Sequence, residues 1–234
     1  MISSHYGYLL VDLLCFIFPF LLSFTKWFKF IQYWRSFLIA STTVAIPFLI
    51  WDSIFTRLSV WWFSEKYTLT FRIFYLPIEE ILFFFAIPYA CLFSYNAIKK
   101  YVPIYISNRA LRIFYILVVF FLVVTAIFNY EKYYTFYTFI FLSFFLIFMI
   151  LKNQYKILYY LLLMFIFILP MMIASDGVLT GGFIVESPIV NYNPLYHLGY
   201  RVFNIPIEDF FYGFLLLGLN VLVFEKLNDY FTTS

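Results

Sequence analysis

Charged residues are scarce in this chain. Only 12% of its 234 residues are Asp, Glu, Lys or Arg, whereas 65% are hydrophobic and the mean hydropathy is +0.93. A soluble domain of ordinary composition has about 25% charged residues, so the composition predicts an integral membrane protein without a separate soluble domain. The net charge is only +3, and the basic residues are spread over short loops. This distribution gives no reason to expect a nucleic-acid partner.

Cysteine, histidine and glycine are also rare, and their positions argue against several kinds of site. Cys15 and Cys91 both fall inside apolar runs, so they predict neither a disulfide framework nor a metal site. The two histidines, His5 and His197, are far apart in sequence and form no ligand cluster with the cysteines. The seven glycines form no G-x-G-x-x-G pattern and no phosphate-binding loop. We therefore expect no metal and no bound dinucleotide cofactor.

Long apolar runs occupy most of the chain. A membrane-spanning helix needs about 20 apolar residues, and these runs lack the alternation of strands in a membrane β-barrel. We therefore predict an all-α integral membrane fold with about seven transmembrane helices. The first run has no basic stretch before it and no small-residue cleavage site after it, so we expect a retained span rather than a signal peptide. The predicted spans are residues 6–24, 36–55, 76–97, 111–129, 134–151, 157–175 and 205–224.

Lysine and arginine are distributed unequally between the two ends of these spans. Ten lie in the loops after the first, third and fifth spans and at the C-terminal end, and five lie on the other side. The positive-inside rule then predicts a protein of the cytoplasmic membrane, with its N-terminus outside and its C-terminus in the cytoplasm.

Two acidic motifs open two of the spans. Leu-Pro-Ile-Glu-Glu at 76–80 and Ile-Pro-Ile-Glu-Asp at 205–209 lie 129 positions apart. An arginine stands seven residues before the first acid of each motif, at Arg72 and at Arg201. A carboxylate at the bilayer centre costs roughly 2.5–3.5 kcal/mol on insertion scales, and less near the interface. Two matched acidic motifs are therefore expected to have a function.

Each motif follows a span that ends in an aspartate, Asp52 in the first half and Asp176 in the second. The chain is therefore predicted to contain two three-helix repeats, residues 1–98 and 133–234, with a loop and a linking helix in residues 99–132. Because the number of linking spans is odd, the two repeats run in the same direction through the membrane. All six acids then approach the same membrane face.

The motif prolines explain where the paired acids lie. Pro77 and Pro206 suit the first turn of a helix, where a missing N–H has no consequence. Neighbouring residues on a helix differ in direction by about 100°, so we expect one acid of each pair to face the bundle interior. A protonated carboxyl in an apolar site can donate a proton and an ionised neighbour can accept one, which is general acid–base chemistry on an apolar molecule. The candidate catalytic residues are Glu79, Glu80, Glu208 and Asp209.

Further residues have both a functional and a structural interpretation. Arg72 and Arg201 either hold one carboxylate ionised or anchor the chain at the membrane interface. Asp52 and Asp176 either support the paired acids or cap helix ends. The paired acids could also act only as helix caps. The duplication of the motif argues against this purely structural role.

Three other groups of residues are weaker candidates for a functional role than the paired acids. Asp12 lies in the first span without an acidic counterpart in the fifth, so we expect a structural role. We expect His197 to be a surface loop residue. Aromatic residues close to the acids have π faces that can stabilise a cation: Tyr75, Phe83, Phe211 and Tyr212.

The two motifs, together with the aromatic-rich segments that continue them, resemble the membrane-embedded lycopene cyclase domain family. Residues 76–84 and 205–212 carry this resemblance, and both copies are intact. The family occurs as two small subunits or as a tandem fusion, and the resemblance covers nearly the whole chain. The second half departs from the first in having Ser175 where the first has Trp51, and in its longer loop.

The resemblance implies a lycopene β-cyclase that converts the ψ-ends of lycopene into β-ionone rings without redox chemistry or a cofactor. It implies lycopene or a related apolar carotenoid as substrate, the lipid bilayer as surroundings, and other carotenoid-pathway enzymes as possible partners. The four paired acids would form the acid–base set. The supporting residues would be Arg72, Arg201, Asp52, Asp176 and Tyr212.

Three alternatives stay open at this point. Parallel repeats with intramembrane acids also occur in proton-coupled small-molecule transporters. A related membrane carotenoid enzyme, such as a hydratase or a cyclase of longer carotenoids, would have the same residue pattern. A non-catalytic assembly subunit of a carotenoid complex would not depend on the paired acids.

Overall fold

The computed structural model describes residues 5–182 and 185–233. The prediction of an all-α membrane fold is confirmed, since six of the described helices are long and apolar enough to cross a membrane and a shorter apolar helix of 17 residues precedes them. The α-helices are α1 (Gly7–Ser23), α2 (Trp34–Arg57), α3 (Ile78–Tyr101), α4 (Asn108–Phe128), α5 (Tyr133–Leu151), α6 (Tyr155–Leu179) and α7 (Ile207–Thr233). Short 3₁₀ helices occupy Phe30–Tyr33 and Pro194–Tyr196.

The helices of the two halves pack in matching arrangements. In the first half α3 packs against α1 and α2, and in the second half α7 packs against α5 and α6. The largest contacts between the halves are reciprocal, α2 with α7 and α3 with α6, and α3 also contacts α7 and α1 contacts α6. Helix α4 packs on α5 and α6 and is the least buried of the six long helices. It is therefore a peripheral helix between two similar three-helix groups.

Six short strands lie in the described residues of the two longest loops, between α2 and α3 and between α6 and α7. In the first loop β2 (Arg72–Ile73) pairs with β3 (Leu76–Pro77), and in the second β5 (Arg201–Val202) pairs with β6 (Ile205–Pro206). Strand β1 (Trp61–Phe63) of the first loop pairs with β4 (Val190–Tyr192) of the second, with Trp61 opposite Tyr192. We call the two loops together the cap. An ion pair of 2.5 Å between Lys66 and Glu186 also joins them.

The cap covers the end of the bundle where the acidic motifs lie, which we call the acid end. Beneath it is a hydrophobic cluster that includes Tyr8 of α1, Phe55 of α2, Trp61 and Ile189 of the cap and Leu179 of α6. A larger core cluster fills the rest of the bundle between α2, α3, α4, α5, α6 and α7. The cap therefore separates the acid end from its surroundings by buried apolar contacts.

The same two-residue turn precedes both acidic motifs. Phe74 and Tyr75 have φ of 49° and 73°, and Phe203 and Asn204 have φ of 50° and 71°. Two successive residues with positive φ form the tight turn that suits a two-residue hairpin. Each hairpin leads directly into the first turn of a helix. The backbone conformation that precedes the acids is therefore the same in both halves.

Candidate active site

The first acid pair, Glu79 and Glu80, lies in the first turn of α3, and both side chains are buried. Glu79 has no exposed surface, and its Oε1 accepts a hydrogen bond of 2.7 Å from the backbone N–H of Leu69 in the cap. Glu80 accepts a hydrogen bond of 2.6 Å on Oε2 from the hydroxyl of Tyr8 in α1. The carboxyl of Asp52, at the end of α2, interacts directly with that of Glu80.

The second pair repeats this arrangement at the start of α7. Oε1 of Glu208 accepts a hydrogen bond of 2.7 Å from the backbone N–H of Leu198 and one of 2.6 Å from Oγ1 of Thr135. Leu69 and Leu198 both stand ten residues before the acid that they contact. The first acid of each pair therefore reaches back to an N–H in the cap.

The second acid of this pair also has tyrosine partners. Asp209 accepts hydrogen bonds from the hydroxyls of Tyr134 in α5 and Tyr192 in β4, the latter at 2.9 Å. Asp176, at the end of α6, interacts directly with Asp209. Desolvation and the nearby Asp209 carboxyl raise the pKa of Tyr192 well above its ordinary value, so its hydroxyl stays protonated and donates.

One acid of each pair was expected to face the bundle interior, and the structure buries both acids of each pair. Glu79 and Glu208 are fully buried, while Glu80 and Asp209 expose 8% and 6% of their surface. The direction of the side chains differs as expected, because one acid points towards the cap and the next towards the bundle. Both directions are buried, since the cap covers the face that would otherwise meet solvent.

Residues of both halves line a cavity of about 720 Å³. Glu80 and Asp209 line it, whereas Glu79 and Glu208 lie behind them. The other polar residues that line it at the acid end are two aspartates, one serine and four tyrosines: Asp52, Asp176, Ser175, Tyr8, Tyr134, Tyr192 and Tyr212. The rest of the lining is almost entirely apolar, so the acids form a polar patch at one end of an apolar chamber.

Tyr212 connects the halves within this chamber. Its hydroxyl, on α7, donates a hydrogen bond of 2.8 Å to Oδ1 of Asp52 on α2. Its ring lies 5.2 Å from that of Trp51 and 6.4 Å from that of Trp61, centroid to centroid. Tyr134 packs edge-on against Trp61 at 5.1 Å. Several π faces therefore surround the carboxyl groups.

The structure does not bring the two arginines to the acids. Nη1 of Arg72 donates to the carbonyl of Tyr75 at 3.3 Å, and Nη1 of Arg201 donates to that of Asn204 at 2.6 Å. Each arginine therefore stabilises its own hairpin turn. Across residues 5–182 and 185–233, the recorded ion pairs involve lysines rather than these arginines.

The interpretation of His197 as a surface residue was wrong. Only 3% of His197 is exposed, because the cap folds its loop over the start of α7. Its Nδ1 accepts a hydrogen bond of 3.0 Å from the N–H of Gly199. Desolvation lowers the pKa of His197 below its ordinary value, so the ring is neutral at physiological pH. The residue contributes to the cap rather than to the polar patch.

Sequence reasoning missed the tyrosines that contact the acids. Tyr8 and Tyr134 stand at equivalent places near the starts of α1 and α5, and aligning those two spans would have revealed them. In that alignment Asp12 coincides with Thr138. Asp12 is 2% exposed, and both of its carboxyl oxygens lack a hydrogen-bond partner among the described residues. The carboxyl groups of Glu80 and Glu79 interact with it electrostatically.

No group of three or more His, Cys, Asp and Glu side chains in the described parts of the chain is arranged to hold a metal ion. The carboxyl oxygens at the acid end instead accept hydrogen bonds from tyrosine hydroxyls, a threonine hydroxyl and backbone N–H groups. Such hydrogen bonds orient carboxyl groups for proton transfer.

Comparison with known proteins identifies one family. A family model described as lycopene cyclase matches residues 5–98 and 131–227, and each matched segment contains one acidic motif. The peripheral helix α4 lies in the stretch between the two segments. Comparison with curated proteins and with solved structures found no match.

Proposed function

This chain belongs to the lycopene cyclase family, and on that premise we propose that it cyclises the ψ-ends of lycopene to β-ionone rings within the membrane. The observation that carries this proposal is the single apolar chamber on which acids of both halves converge. An apolar polyene needs such a chamber, and a cyclisation that begins with protonation needs an acid inside it.

The reaction is an isomerisation in which atoms and electrons balance. A carboxyl group donates a proton to the terminal double bond of the ψ-end, which leaves a tertiary carbocation. The next double bond of the chain attacks this cation, closes a six-membered ring and moves the positive charge to a ring carbon. Loss of a proton from the neighbouring ring carbon to a carboxylate forms the ring double bond. The protein ends with the same number of protons, and no oxidant is consumed.

Paired carboxyl groups supply both the acid and the base. Glu80 lies beside Asp52, and Asp209 lies beside Asp176. Two adjacent carboxyl groups in a site of low polarity cannot both ionise, so each pair shares a proton. We assign the proton transfers to these pairs because all four residues line the chamber.

Glu79 and Glu208 have a different role in this proposal. Each holds an N–H of the cap and lies outside the chamber lining. They are positioning residues, which fix the start of the helix and so the direction of the neighbouring acid. Arg72 and Arg201 do not contact the acids in this proposal and instead stabilise the hairpin turns that precede the motifs.

The aromatic side chains stabilise the carbocation without capturing it. A ring face attracts a cation by roughly 0.5–2 kcal/mol, more when the site is desolvated. Trp61, Phe83 and Tyr212 line the chamber close to the acids. A hydratase would instead need a water molecule placed to trap the cation, and this mostly apolar lining favours ring closure.

Pigment analysis in a lycopene-accumulating bacterial host tests the proposal. Wild-type protein is expected to convert lycopene into cyclic carotenes. Glu80→Gln and Asp209→Asn are each expected to lose activity, by about 10²–10⁴-fold if the residue carries an essential proton transfer. Glu131→Gln, an exposed glutamate outside the chamber, is the matched control. Unchanged lycopene with wild-type protein at normal membrane expression would overturn the proposal.

A further inference from the structure

The chamber continues far beyond the acids. Its lining follows one face of α3, at the spacing of three and four residues that marks a helix face, from Glu80 to Tyr101. A helix rises 1.5 Å per residue, so these two positions are separated by roughly 31 Å. The cavity is therefore an elongated channel that runs most of the way through the bundle, and we call its end at Tyr101 the far end.

Small side chains keep this channel open in its middle and far thirds. Ala90, Ser94 and Ala97 line it on α3 at successive turns. Larger residues at these positions would fill the space between α3 and the helices opposite, α1 and α6. The apolar and extended shape suits a long linear polyene rather than a compact molecule.

The channel reaches the lipid-facing surface between α1 and α6. Leu14 and Phe18 of α1 line it and are nevertheless 62% and 68% exposed on the outside of the bundle. Phe167 and Met171 of α6 also line it and are 66% and 63% exposed. Residues that belong to both surfaces mark the rim of an opening, and this opening faces the hydrocarbon region rather than water.

We propose that a polyene enters from the bilayer between α1 and α6 and binds end-on, with one ψ-end at the acids and its body lying along α3 towards Tyr101. This inference rests on the proposed function and adds the binding mode to it. Both acid pairs line the same chamber, so only one end of the substrate reaches them in each binding event. The half-cyclised product then leaves the channel and re-enters in the reverse direction before its second end reacts.

Substitutions at the far end of the channel test the binding mode. Ala97→Trp is expected to slow cyclisation of lycopene by about tenfold or more, because an oversized side chain displaces the bound chain. A shorter acyclic polyene with the same ψ-end, whose body ends before Ala97, is expected to react at the wild-type rate. Ser94→Phe, one turn closer to the acids, is a second variant for the case in which Ala97→Trp does not fold, and it is tested with a polyene whose body ends before Ser94.

The matched control is Ile113→Trp on the lipid-facing side of α4, away from the channel. It is expected to leave both substrates unaffected. Equal losses for the long and the short polyene, or no loss for lycopene, would overturn the end-on binding mode while leaving the cyclase function intact. Failure of wild-type protein to cyclise either polyene would overturn the function and the binding mode together.

The order of products gives an independent test. With lycopene in large excess over the enzyme, the monocyclic product is expected to accumulate free in the membrane before any bicyclic product forms. Adding labelled monocyclic product during the reaction should place label in the bicyclic product. Bicyclic product that forms from lycopene without exchange with the added pool would overturn the single-ended binding mode.

Discussion

Tyr212 donates a hydrogen bond of 2.8 Å to Asp52, and this contact joins the two halves of the chain at the acid end. Asp52 also interacts with Glu80, so a residue of the second half helps to orient a carboxyl pair of the first. The two repeats therefore form one chamber rather than two separate sites. Substitutions in one half are expected to affect chemistry at the acids of the other.

Two substitutions at Tyr212 separate its hydroxyl from its ring. Tyr212→Phe removes the hydrogen bond to Asp52 and is expected to reduce stability by about 1–3 kcal/mol, because a buried oxygen loses its donor. It keeps the π face, so a substantial part of the cyclase activity should remain. Tyr212→Leu removes both features and is expected to lower activity much further. Pigment analysis and thermal unfolding in detergent measure the two effects.

Equal activities of Tyr212→Phe and Tyr212→Leu would contradict a role for the ring in stabilising the cation. Phe120→Leu, an exposed aromatic residue of α4 that does not line the chamber, is the control for loss of a ring elsewhere on the bundle.

The two acids of a motif are expected to respond differently to amide substitution. In Glu79→Gln the side-chain carbonyl still accepts the hydrogen bond from the N–H of Leu69, so the fold and much of the activity should persist. In Glu80→Gln the carboxyl group that faces the chamber is lost, and activity should disappear. Glu79→Ala should reduce stability by about 1–3 kcal/mol, because a buried N–H loses its acceptor.

Glu208→Gln and Asp209→Asn repeat this comparison in the second half. Activity lost in Glu79→Gln and Glu208→Gln at normal expression and stability would show that the first acids take part in proton transfer directly.

Asp12 is expected to lower the stability of the fold. Its carboxyl group is buried and has no hydrogen-bond partner among the described residues, and such a group costs about 1–3 kcal/mol. Asp12→Leu should therefore raise the midpoint of thermal unfolding. Thr138→Val, at the matching place in α5, removes a smaller buried polar group and should give a smaller increase. A less stable Asp12→Leu variant would show that the carboxyl group has a stabilising partner.

Much of the fold followed from the sequence because its signals are local. Hydrophobic runs set the helices, and the motif prolines set the starts of α3 and α7. The acids of both motifs were found because the motif repeats along the chain. Each of these features is set by residues that are close together in the sequence. Composition and residue spacing are therefore enough to predict them.

The site needed the structure because its contacts are distant in sequence. Tyr8 contacts Glu80 across 72 positions, and Tyr212 contacts Asp52 across 160. The side chains of Arg72 and Arg201 turn back to their own hairpins, which their spacing from the acids did not indicate. The burial of His197 depends on how the cap packs over α7, and a loop sequence carries no periodic signal of that packing.

The orientation in the membrane is a prediction that comes from charge alone. The far end of the bundle carries Lys99 and Lys100 at the end of α3, and basic residues near helix ends favour the cytoplasmic side. A reporter active only in the cytoplasm, fused after the C-terminus, is expected to be active, and one active only outside is expected to be silent. The opposite pattern would place the acid end in the cytoplasm. Truncation after α6 removes one span and should reverse the result, which serves as the control for the assay.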